Sequence, residues 1–148
     1  MRAVVQLVSK AAVHVNGRLV SSINEGLAVL LGIHKADAEK DAVYLADKIV
    51  KLRVFPDERQ LMNLSLLDVH GEMLVISQFT LFGDCRKGRR PSYSEAAPPA
   101  QARSLYEAFV AAVQSQNVRA RTGEFQAMME VSLINNGPVT LLLDTQTR

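Results

Sequence analysis

Asn16-Gly17 stands between a valine-rich segment, residues 2–15, and a second apolar one that carries Leu19, Val20 and Ile23. Asn-Gly supplies the two positive-φ residues of a type I′ turn, whose twist matches that of antiparallel strands. The pair therefore commits the start of the chain to a hairpin, its first arm reading as strand over 2–9 and 12–15. Another strand follows over 27–33, opened by Glu25-Gly26. From Asp37 the apolar period lengthens. Val43, Ala46, Ile49 and Val50 recur at helical spacing and predict a helix over 37–51.

Pro56-Asp57-Glu58 reads as a turn and 73–82 as a strand. Residues 83–99, with two glycines and three prolines, read as a long loop. Leu105, Phe109, Ala112 and Val113 mark one face of a second amphipathic helix over 100–114, and short strands are expected near 118–121, 128–134 and 138–144. Runs of strands with two inserted helices point to α+β, with a mostly antiparallel, curled, barrel-like sheet. A length of 148 residues fits one domain over 1–148.

Several function classes drop out early. No apolar run approaches the roughly 20 residues that span a bilayer. Cys85, the single cysteine, excludes an internal disulfide and fits a reducing, cytoplasmic setting, as does a start without a signal-peptide pattern. His14, His34 and His70 are scattered, with no metal-binding spacing. No serine sits in a nucleophile elbow, and no glycine-rich phosphate loop precedes a helix. Cys85 lies beside Arg86 and Lys87, which favour a thiolate, but without a neighbouring histidine it reads as an incidental loop thiol. A net charge of +2 restricts any nucleic-acid contact to a local patch.

Three stretches remain. Ser77-Gln78-Phe79-Thr80-Leu81 replaces apolar side chains with polar ones just before the long loop. It reads either as a strand leaving the core or as the wall of a site. Asn135-Asn136-Gly137-Pro138 interrupts two apolar segments with residues that disfavour a sheet interior. It reads either as a hairpin turn or as a rigid corner that offers bare carbonyls to a ligand. Arg86, Lys87, Arg89 and Arg90 cluster in a loop with Tyr93 close behind, either to contact phosphates and stack on a base or merely as solvated charge.

Ser77–Leu81 and Asn135-Asn136-Gly137-Pro138-Val139-Thr140 resemble the two signature motifs of the bacterial and eukaryotic D-aminoacyl-tRNA deacylases. The likeness extends through the Val-Gln start, Leu30-Leu31-Gly32, Met62-Asn63, Arg90-Pro91-Ser92 and Val131-Ser132-Leu133. It implies a homodimer without cofactor or metal that hydrolyses the ester between a D-amino acid and the 3′-terminal adenosine of tRNA. Neither DNA nor a membrane is an expected partner.

The resemblance also implies a cis Gly137–Pro138 peptide inserted into the partner subunit's active site. Ser77, Gln78 and Thr80 become the catalytic stretch, and Ser77, Gln78 and Phe79, with Gly137 and Pro138, become the substrate-binding residues. Thr80 is expected to position the substrate, whose own 2′-hydroxyl assists attack by water. Glycine, lacking a β-carbon, is expected to pass the corner, so that glycyl-tRNA, including tRNA-Ala mischarged with glycine, is also cleaved. Where the family carries an arginine that orients the corner, this chain has Leu7, so the corner here needs another support. Competing readings are a non-enzymatic RNA-binding module that uses the 86–90 loop, and conventional esterase chemistry through Ser77 or Cys85.

Overall fold

The computed structural model describes residues 1–147. Strands β1 (Arg2–Val15) and β2 (Arg18–Ile23) form the expected hairpin, with Asn16 at φ 50° and Gly17 at φ 74°. β3 (Gly26–Gly32) precedes helix α1 (Glu39–Val50), and a small antiparallel pair, β4 (Phe55–Pro56) with β5 (Met62–Leu64), leads to β6 (Glu72–Ser77). Then come a 3₁₀ turn (Phe79–Phe82), helix α2 (Pro99–Gln114), β7 (Arg119–Thr122) and β8 (Glu130–Asp144).

The main sheet runs β2-β1-β3-β6-β7, and β8 also pairs with β1. β1 is one continuous strand rather than two pieces. Residues 2–8 pair with β3 and residues 11–15 with β2, while β8 runs antiparallel along nearly all of β1 on its other edge. All pairings of β1 are antiparallel, as expected. The β3–β6 and β6–β7 pairs are parallel, so the sheet is mixed. The cause is the helices: α1 lies within the connection from β3 to β6 and α2 within that from β6 to β7, and long helical crossovers return the chain in the same direction. β3 is accordingly apolar on both faces, with Leu27, Val29 and Leu31 fully buried on one and Ala28 buried on the other.

One face of the sheet packs on the two helices through Val5, Val29 and Val75 against Leu45, Ile49, Phe109 and Val113. The other face turns into the curl and buries Val8, Val13, Ile23, Leu74 and Ile76. Along β6 the alternation has period two, with Met73 and Val75 on one side and Leu74 and Ile76 on the other. The curl brings β2 against β7, where Ser21 Oγ donates to Thr122 O at 2.6 Å, and the sheet is nearly closed into a barrel. Among the described residues no helix is long and apolar enough to cross a membrane.

Two expected boundaries differ. The strand expected over 73–82 stops at Ser77: the Gln78 N–H still makes the last ladder bond to Leu31 O at 2.8 Å, and the Leu81 N–H then turns back to Gln78 O at 3.3 Å in the 3₁₀ segment. The strands expected at 128–134 and 138–144 are a single strand, because both arms pair with β1 in the same direction. The corner is therefore an outward bulge within β8, not a hairpin turn.

Candidate active site

The turn after β6 is seated on the end of β3. A β-carbon placed on Gly32 would lie 3.0 Å from Leu81 Cβ and 3.1 Å from Gln78 O, so any larger residue would push the turn back by a few tenths of an ångström. From the other side, Arg2 NH1 donates to Leu81 O at 2.7 Å while its Nε and NH2 hold Asp144 Oδ2 at 3.0 and 2.9 Å. The same guanidinium lies 4.8 Å from the centre of the Phe82 ring. The turn is thus clamped between β3, the start of β1 and the end of β8.

Ser77, Gln78, Phe79 and Thr80 form one wall of a cavity of about 780 Å³, and Tyr93, Phe125 and Met129 contribute to its other side. The four residues that the sequence singles out share this wall. The sequence reading missed the opposite wall, which comes from the loop before α2 and the segment between β7 and β8. Phe79 is 55% exposed and meets Tyr93 edge-on, with ring centres 5.1 Å apart. Phe125 is held by the Tyr106 ring at 5.9 Å and by the Arg103 guanidinium at 4.7 Å. Val75 O anchors this side, accepting from Tyr106 OH at 2.8 Å and Gly123 N–H at 3.1 Å. Burial pushes the Tyr106 phenol up, so it stays a donor.

The chemistry of the cavity is set by what lines it. No carboxylate, imidazole, thiol or cationic side chain is among its lining residues. Gln78 Nε2 donates to the Thr80 hydroxyl oxygen, which leaves the Thr80 O–H free to donate. Neither histidine nor carboxylate bonds to Thr80 among the described residues. Leu31 O already takes the Gln78 N–H. The N–H groups of Phe79 and Thr80, in the first turn of the 3₁₀ segment, have no acceptor within it.

The corner lies elsewhere. Gln6 pairs with Thr140 and Val8 with Asn135, so residues 136–139 leave the ladder opposite the single residue Leu7. Asn136, Gly137 and Pro138 are exposed, the Gly137–Pro138 peptide is cis, and Gly137 has φ 108°. A β-carbon there would meet Val139 Cγ2 at 2.9 Å. Asn135 Nδ2 donates to Val139 O at 3.1 Å and Leu7 O at 3.3 Å, closing the neck of the bulge. Gly137 and Pro138 are not among the residues that line the cavity of their own chain.

The basic loop is pinched at its base by an antiparallel bridge between Asp84 and Ser92, with Gly88 at φ 71° near its tip. Arg86 is committed within the loop, its Nε and NH2 donating to Asp84 at 2.9 and 2.7 Å. Those side-chain hydrogen bonds hold the Asp84 carboxyl down to about 2. Lys87, Arg89 and Arg90 are exposed, and none of them forms a salt bridge among the described residues. Cys85 is an exposed thiol outside the cavity. His34 lies on the far side of the turn, bonded to Glu95 at 3.1 Å.

Comparison with known proteins bears directly on this arrangement. The family model described as D-Tyr-tRNA(Tyr) deacylase matches residues 4–144. A D-aminoacyl-tRNA deacylase of Thermosipho africanus is 60% identical over 146 residues, covering 99% of this chain and 98% of the relative. One of Desulfatibacillum aliphaticivorans is 58% identical and covers 99% and 100% of the two chains. A solved structure named c-Myc DNA Unwinding Element Binding Protein superposes with TM-score 0.92 at 39% identity, over 98% of this chain and 99% of that one. A probable eukaryotic D-amino acid tRNA deacylase shares the fold at TM-score 0.80 and 16% identity, covering 96% and 97%. With both motifs present and the match running the length of the chain, this protein belongs to the D-Tyr-tRNA(Tyr) deacylase family, a family of hydrolases.

Proposed function

We propose that the chain hydrolyses the ester bond of D-aminoacyl-tRNA, as a homodimer in which the corner of each subunit completes the cavity of the other. The observation that carries this reading is a division of labour. The cavity holds polar positioning groups but no acid or base, and the corner stands exposed away from the cavity of its own chain. β8 supports the dimer. It is long, β1 is its only partner among the described residues, and it exposes Ile134 at 50% and Leu142 at 67%. An apolar strand edge of this kind invites pairing with another chain.

In this reading the terminal adenine lies against the half-exposed face of Phe79. The Phe79 and Thr80 N–H groups hold the ester carbonyl as it becomes an oxyanion, and Ser77 and Gln78 shape the same wall. The Thr80 hydroxyl positions the ester, and the 2′-hydroxyl of the substrate's ribose assists the attacking water. The carbonyl oxygens of the partner's Gly137 and the partner's Pro138 accept the substrate ammonium and leave no room for an L β-carbon. Selection is by exclusion. Glycine passes, so glycyl-tRNA, tRNA-Ala mischarged with glycine included, is hydrolysed with the D-aminoacyl esters, and L-alanyl-tRNA is spared. Lys87, Arg89 and Arg90 hold tRNA phosphates. The activity amounts to chiral proofreading for translation in the cytoplasm.

The test is a set of time courses on D-tyrosyl-, glycyl- and L-alanyl-tRNA, with chelator present and the mass in solution measured by light scattering. Expected are a dimer, turnover of the first two substrates, and an intact third. D-tyrosyl turnover with glycyl-tRNA untouched would overturn selection by exclusion, and an active monomer would overturn the shared site. A second reading, a non-enzymatic nucleic-acid-binding module, draws on the basic loop and on the name of the 39% identical structure. Tight tRNA or DNA binding without any deacylation would favour it.

A further inference from the structure

We propose that Asn135 is the positioning residue that sets the corner in this chain, and through it the D-over-L selectivity; the inference rests on the hydrolytic reading above. A bulge that removes residues 136–139 from the ladder opposite one residue would hang from a flexible neck unless something tied its two ends. The Asn135 carboxamide does so. Its NH₂ group has two hydrogens, and two carbonyl oxygens lie within hydrogen-bonding distance of it. Val139 O is at the exit of the corner, and Leu7 O is on the neighbouring strand.

Nothing else shares the task. Leu7, the residue opposite the bulge, is buried and apolar, so it offers the corner no side-chain donor. Gln6 Nε2 reaches Thr140 Oγ1 at 3.2 Å, a side chain beyond the corner rather than its backbone. Among the described residues, Asn135 makes the only side-chain hydrogen bonds to the carbonyls that flank the corner. The apex is shaped separately, by Gly137, whose φ of 108° and missing β-carbon leave room for Val139 Cγ2. The apex therefore sets the form of the corner, and the neck sets where it points.

Exclusion is sensitive to direction in a way that hydrolysis is not. A corner tilted by a fraction of an ångström still accepts an ammonium group but no longer blocks a methyl group. Loss of the neck should therefore raise L-alanyl-tRNA cleavage more than it lowers D-tyrosyl-tRNA cleavage. Asn135→Asp is the sharper probe, because it keeps the shape and turns a double donor into an acceptor that faces two carbonyl oxygens.

The experiment measures kcat/KM on D-tyrosyl- and L-alanyl-tRNA for wild type, Asn135→Asp and Asn135→Ala, with melting temperature and dimer mass alongside. Hydrogen exchange over residues 136–139 is followed in each. Expected is a fall in the D/L ratio of about tenfold or more, the scale of one hydrogen bond. Asn135→Asp should be at least as affected as Asn135→Ala, with faster exchange confined to the corner and the dimer intact. An unchanged ratio with both substrates slowed equally would overturn the inference while leaving the hydrolytic reading standing. Failure of both variants to fold would also overturn it, since Asn135 would then hold the fold rather than the corner. A wild-type protein inactive on D-tyrosyl-tRNA would remove the functional reading itself, and the inference with it.

Discussion

Gly32→Ala tests the seating of the turn that carries Thr80. The added methyl would lie 3.0 Å from Leu81 Cβ, 3.1 Å from Gln78 O and 3.1 Å from Phe82 Cε2. Leu81 Cβ and Phe82 Cε2 belong to the turn, and Gln78 O is a backbone atom of the residue just before it. Gly32 is not among the positive-φ glycines, so the cost is steric and not conformational. Overpacking of this kind costs about 1–3 kcal/mol. At about 2–4 °C per kcal/mol for a domain of this size, the melting temperature should fall by roughly 2–12 °C. The turn gives way before β3 does, because β3 is paired on both edges. Displacing Thr80 should lower kcat by about 10- to 100-fold, or roughly 1.4–2.8 kcal/mol of barrier. Thermal melts and steady-state deacylation on D-tyrosyl-tRNA read the two effects separately. A variant that melts lower but turns over like wild type would refute the link between this contact and catalysis. One unchanged in both would refute the contact.

Thr80→Ala should slow deacylation by about 10- to 100-fold without abolishing it, and a terminal 2′-deoxyadenosine should slow it further; a covalent aminoacyl-enzyme trapped on Thr80 would contradict the positioning role. Charge reversal at Arg89 and Arg90 should flatten the salt dependence of tRNA binding by about one unit of slope per lost contact, whereas Arg86→Glu, whose guanidinium is already spent on Asp84, should change it less. Burial pushes the Asp144 carboxyl up, but the Gln146 N–H and the Arg2 guanidinium outweigh this and hold it below its usual value. A depressed carboxylate stabilises the fold above its unfolded pKa of about 3.9, and the contribution is lost as pH falls through the folded value. Arg2→Gln should therefore melt below wild type by a constant margin from neutral pH down to about pH 4, and the gap should narrow as pH falls further; a gap that persists unchanged well below about pH 4 would show that the ion pair contributes nothing.

Local signals were legible in the sequence. Asn16-Gly17 forms its hairpin, and both helices end close to where the apolar period stops. Strand direction was not legible, because Leu27–Leu31 is an apolar run that suits an antiparallel or a parallel interior equally. Nor was the continuity of β8, since Asn-Gly-Pro reads as a stop and only the pairing with β1 on either side shows the chain resuming its course. At the site, Ser77–Thr80 could be found because polar residues interrupt an apolar strand. Tyr93, Phe125 and Met129 sit in loops that meet the turn only after α2 and the β7–β8 connection have packed, and no local pattern encodes that meeting. Arg86 shows the same limit. Its charge is visible in the sequence, but its neutralisation by Asp84 depends on the shape of the loop.

A cavity without acidic, basic or thiol side chains has a consequence for how such an enzyme answers its surroundings. Between about pH 5 and 8 a catalytic histidine or a perturbed carboxylate gives the rate a bell shape that belongs to the protein. Here nothing lining the cavity supplies such a limb. Any slope of rate against pH in that range would come from the substrate: its ammonium group, its ribose hydroxyl and the water that attacks. The protein would act as a neutral mould, so that among the esters the corner admits, those most prone to spontaneous hydrolysis would also be the ones it clears fastest.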